Sequence, residues 1–62
     1  MPGIAEFLAE GPDKLIIAEL PDGDVMLTVV NTITSDRRSI IMPRTEAHAA
    51  GNTLRFAARS VR

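Results

Sequence analysis

Cysteine, tryptophan and tyrosine are absent from this 62-residue sequence, phenylalanine occurs only as Phe7 and Phe56, and His48 is the sole histidine. Without cysteine no disulfide can staple the fold. One imidazole and no thiol exclude a zinc site of the Cys/His kind. The four glycines are isolated from one another, so there is no glycine-rich loop to cradle a phosphate. No stretch approaches the ~18 consecutive apolar residues of a membrane span, and the first residues lack the basic-then-apolar pattern of a secretory signal. With cysteine missing as well, a cytoplasmic protein that does not enter a membrane is the expectation. Core-building material is also scarce, because eight of the apolar residues are alanines that bury little. A chain of this size hides only about 60% of the surface its unfolded form exposes. With disulfides and zinc excluded, association with other copies is the staple that remains, and a homo-oligomer is expected.

What is present is charge, and it is sorted. Residues 1–36 carry seven acidic residues against Lys14 alone, a local sum of −6, whereas residues 37–62 carry six arginines against Glu46, a local sum of +5. The net charge of −1 conceals this polarity. Such sorting points to an anionic partner met by the C-terminal half, or to pairing of the two halves with each other. Arginine suits the first reading, since its planar fork binds phosphate in two places and stacks on bases.

The chain reads as one small, mainly β domain over residues 1–62. Residues 1–11 show Ile4, Phe7 and Leu8 at i, i+3 and i+4 ahead of Gly11-Pro12, which predicts a short N-terminal helix. Residues 14–62 read as an antiparallel meander. Lys14–Leu20 and Val25–Ile33 are β-branched runs joined by the turn tetrapeptide Pro21-Asp22-Gly23-Asp24. Apolar residues on both sides of the second run predict a central strand or one strongly bent in a small barrel. Thr34–Arg38 reads as a polar turn, Ser39–Met42 as a strand stopped by Pro43, Thr45–Ala50 as a loop or one helical turn, and Thr53–Val61 as a final strand. The expected fold is thus a short helix followed by a strongly bent antiparallel sheet or a small SH3-like or Sm-like barrel.

Catalytic chemistry has little to work with. His48 lies in an alanine-rich segment with no serine or carboxylate at a spacing that would make a triad, and reads as an ordinary histidine. Asp22-Gly23-Asp24 lacks the later ligands of a calcium loop and reads as a turn. No enzyme and no cofactor are expected. Binding has more support. Arg37 and Arg38 form a basic turn, and Arg55 and Arg59 lie on one face of the final strand, about 13 Å apart at ~3.3 Å per residue. Together they outline a patch for a phosphodiester backbone, with Phe56 either stacking on bases beside it or buried in the core on the Leu54 face.

This plan resembles that of the Sm-like family, bacterial Hfq among its members. Glu19-Leu20-Pro21-Asp22-Gly23-Asp24 is similar to the strand and turn of the first Sm motif, Phe7-Leu8 to the Phe-Leu of the Hfq N-terminal helix, Asp36 with Arg37–Met42 to the approach to the third strand, and Leu54–Val61 to the second motif. The resemblance implies a hexameric or heptameric ring built by strand pairing, with RNA around the pore. It places Arg37 and Arg38 at the uridine pocket, Arg55 at the family's Lys or Arg, and Phe56 at its His or Gly. The family's glycine in the bent second strand and its motif asparagine are absent here, Ile40 standing at the latter. Ser39–Arg44 followed by Gly51 also resembles the strand-Pro-helix-Gly pattern of AbrB-like swapped-hairpin DNA-binding proteins. A structural or protein-interaction module is the third reading.

Overall fold

A computed structural model describes residues 3–60 of the chain, with side chains described to Arg59. Met1 and Pro2, in the expected first helix, Val61, at the end of the expected last strand, and Arg62 after it lie outside the described residues. Five elements follow in order: β1 (Ile4–Leu8), β2 (Asp13–Glu19), β3 (Val25–Asn31), β4 (Arg37–Met42) and α1 (Arg44–Ser60).

The hairpin at the centre forms where the β-branched runs predict it. β2 and β3 pair antiparallel from Glu19 opposite Val25 to Asp13 opposite Asn31. Their turn is closed by the Gly23 N–H donating to the Leu20 carbonyl at 2.9 Å and the Leu20 N–H donating to the Asp24 carbonyl at 2.9 Å. Pro21 presets the first turn dihedral, and Gly23 takes φ +95°, a left-handed conformation that glycine enters without the usual side-chain cost. β3 stops at Asn31, two residues before the apolar pattern ends, because the Asn31 Oδ1 accepts the N–H groups of Ile33 at 2.9 Å and Thr34 at 3.0 Å. That side chain converts Ile33 into turn.

The expectations for both ends of the chain are overturned by the fold. The N-terminal segment is a strand, not a helix: Ile4–Leu8 pairs with Lys14–Ala18 of β2. A segment this short cannot hold a helix alone, whereas as a strand it satisfies backbone groups that β2 would otherwise present to water. The final strand over Thr53–Val61 is replaced by helix, which starts at Arg44 once Pro43 has ended β4 and accepted the Ala47 N–H at 2.9 Å. Leu54 with Ala58 and Arg55 with Arg59 also repeat at the helical spacing i, i+4, and five alanines favour the helix. Gly51 lies within α1 without a positive φ, so it does not end the helix.

The sheet is an open meander in the order β1-β2-β3-β4, not a closed barrel. The β2–β3 register runs through seven consecutive pairs without a bulge. Nothing therefore bends the central strands as closure requires, and conversion of the last segment to helix removes a fifth strand. Arg37 and Arg38 belong to β4 rather than to the turn before it. The register divides the side chains between two faces. One carries Phe7 from β1, Leu15 and Ile17 from β2, Val25, Leu27 and Val29 from β3, and Ile40 and Met42 from β4. The other carries Glu6, Lys14, Thr28, Arg37 and Ser39 among its apolar residues. Among the described residues only Ala18 and Thr28 are buried, both on this second face. α1 lies on the first face, where Ala47, Ala50, Gly51 and Leu54 line an apolar groove of about 250 Å³ with Ile17, Val25, Leu27 and Met42.

Candidate nucleic-acid interface

With 3.6 residues per turn, α1 sorts its side chains into sectors. Ala47, Ala50, Gly51, Leu54 and Ala58 occupy the sector turned to the sheet. Arg44, His48, Asn52, Arg55 and Arg59 fall within a second sector of about 80°, a basic stripe about 22 Å long at 1.5 Å per residue. Arg55 and Arg59 are thus neighbours at i, i+4 on a helix, about 6 Å apart along its axis, rather than two steps apart on a strand. Arg44, His48 and Asn52 join them, residues that no strand reading of the C-terminal segment could bring together. The signal for them was in the sequence, as the period of the charged residues over 44–59.

Phe56 is not in the core. It is 72% exposed, and Leu54, whose face it was expected to share, is itself 66% exposed. Helical geometry turns Phe56 roughly opposite to Leu54 and sets it beside the basic stripe, three residues from Arg59 and four from Asn52. An exposed ring next to cations can stack on a base while the arginines hold the backbone.

Arg37 and Arg38 do not complete this patch. Adjacent on β4, they point to opposite faces, Arg38 opposite Val29 and Arg37 opposite Val30. They line a shallow groove with Asp13, Val29, Asn31 and Asp36, to which α1 contributes nothing. The nearby Asp13 and Asp36 weaken its pull on an anion. The expected single patch is therefore divided into a helical part and a strand part.

Among the described residues no ion pair joins the acidic half of the chain to the basic half. The ion pair that forms among the described residues, Lys14 to Glu6 at 3.2 Å, joins two residues of the acidic half. Arg37, Arg38, Arg44, Arg55 and Arg59 have no carboxylate of a described residue within 4 Å. His48 shares a groove with Glu19, Gly23, Val25, Arg44 and Ala47, and the Ser39 hydroxyl is engaged by Thr28 at 2.7 Å. No group of three metal-ligating side chains occurs among the described residues, and none of their helices is long and apolar enough to cross a membrane. In comparisons with family models, curated proteins and solved structures, nothing matches this chain.

Proposed function

We propose that this protein is a non-enzymatic nucleic-acid-binding subunit that contacts single-stranded RNA through the basic stripe of α1. The observation that carries the reading is the alignment of Arg44, Arg55 and Arg59 in one sector of a helix with Phe56 exposed beside it. Arginines with no carboxylate partner among the described residues need not break such an ion pair to meet phosphate, and an accessible ring favours unstacked bases over a duplex.

Fluorescence anisotropy with a labelled single-stranded RNA at rising salt tests the reading. Affinity is expected to fall steeply with salt and to weaken when Arg55 and Arg59 are replaced by alanine. Absence of binding at low salt overturns it, and a preference for duplex DNA transfers the function to the swapped-hairpin alternative.

A further inference from the structure

The face of the sheet that carries α1 is mostly apolar through its middle. The row Ala5, Ile17, Leu27 and Ile40 is apolar across all four strands, the next row is Phe7, Leu15 and Val29 and ends at Arg38 on β4, and the other charges on this face, Asp13 and Glu19, stand at the two ends of β2. α1 does not cover this surface: Phe7, Val29 and Ile40 remain half exposed or more, and Leu54 on the helix is as open as they are. The opposite face is arranged differently. It too exposes apolar side chains, Ile4, Leu8 and Ile41, but its central Thr28 is buried and bonded to Ser39, and Glu6 is paired with Lys14.

The area left exposed is larger than one folded chain should show. The accessible surface is 5208 Å², whereas a folded monomer of this mass exposes about 3,900 Å². The Cα radius of gyration is 12.7 Å, against about 10.6 Å for a compact domain of this length. The molecule is a slab, 18 Å in its thinnest direction. The surplus of about 1,300 Å² per chain is comparable with the area each partner buries in an obligate homodimer, roughly 1,000 Å² or more. A twofold axis needs only one patch that meets its own copy, and the helix-side face offers one, with Leu54 at the groove between α1 and the sheet and Phe7, Val29 and Ile40 exposed on the strands.

We infer that the helix-side face joins two copies of this chain in a twofold dimer, with Phe7, Val29, Ile40 and Leu54 at the centre of the contact. The inference is independent of the nucleic-acid reading, because none of these residues belongs to the basic stripe.

Ile40 and Ile41 supply the test. They are consecutive on β4, 58% and 63% exposed, and point to opposite faces. In an isolated chain, glutamate at either position would meet the same solvent. In the dimer, Ile40→Glu places a charge in the contact and Ile41→Glu does not. Sedimentation equilibrium of the wild type should give twice the 6.7 kDa chain mass, with a melting temperature that rises with concentration. Ile40→Glu should raise the dissociation constant at least ~30-fold, as loss of a central interface residue does, or leave the chain unfolded. Ile41→Glu should keep both dimer and fold, and Leu54→Glu, on the helix rather than the sheet, should behave as Ile40→Glu does. A folded wild type with the mass of one chain, which would reserve the face for a foreign partner, overturns the inference. So does a mass of six or seven chains, or an equal effect of the two β4 substitutions.

Discussion

The guanidinium of Arg44 lies directly over Gly23, so that a β-carbon at position 23 would fall in the space that Arg44 Nη2 and Cζ occupy. The first residue of α1 is thereby held against the central hairpin turn, where Gly23 also needs its positive φ. Gly23→Ala should destabilise the fold by more than the ~1–2 kcal/mol of the left-handed conformation, because the end of the Arg44 side chain must also move. In an Arg44→Ala background the cost should shrink to the conformational part alone, ~1–2 kcal/mol. Urea unfolding of the four variants in a double-mutant cycle measures the difference. Equal costs in both backgrounds would show that the two residues do not interact.

Thr28 and Ser39 form the second coupled pair. Thr28 is only 4% exposed, and its hydroxyl bonds to that of Ser39 at 2.7 Å across the β3–β4 ladder. Ser39→Ala leaves a buried hydroxyl without its partner and should cost about 1–3 kcal/mol. Adding Thr28→Val removes the orphan, and most of the loss should return. Thermal melts of the single and double variants read this directly, and a double variant no better than Ser39→Ala would refute it.

Gly51 sits in the interior of α1 with nothing within 4 Å of the position a β-carbon would take. Gly51→Ala should therefore stabilise the protein by about 0.5–1 kcal/mol through helix propensity alone. The melting temperature followed by circular dichroism at 222 nm should rise by a few degrees. A fall would mean that the missing side chain is needed for close approach to another surface.

On the basic stripe, charge and stacking make separable contributions. Arg55→Ala and Arg59→Ala should each lower the slope of log affinity against log salt by about 0.7 for a single strand. Phe56→Ala should weaken single-strand binding by about 1–3 kcal/mol and leave the slope unchanged. Arg37→Ala and Arg38→Ala, on strand β4 outside the stripe, should change both quantities less than the helical substitutions do. Anisotropy titrations at several salt concentrations give slope and affinity together.

The legible parts of the fold are those specified by local chemistry. Pro21-Asp22-Gly23-Asp24 contains its own turn, with a preset proline dihedral, an aspartate whose Oδ1 accepts the Asp24 N–H at 2.9 Å and a glycine free to take positive φ. The flanking β-branched runs have no better conformation than strand. The termini are different. Ile4, Phe7 and Leu8 satisfy a helical spacing, yet an edge strand beside β2 pairs backbone groups that a one- or two-turn helix would leave frayed. Leu54–Arg59 satisfies alternation, yet joined to Arg44–Thr53 it becomes a 17-residue helix. Over such short windows both periods fit the same letters, and only the extent of the neighbouring element distinguishes them.

The same division holds for the candidate site. From composition alone come the sorted charge, the absence of disulfide and of a Cys/His metal site, and a core too small to close on itself, since these depend on which residues exist and not on where they lie. Tertiary structure decides which arginines stand together. It separates Arg37 from Arg38 across a sheet, gathers Arg44, Arg55 and Arg59 along a helix, and turns Phe56 outward, because the side-chain period changes from two to 3.6 at Pro43.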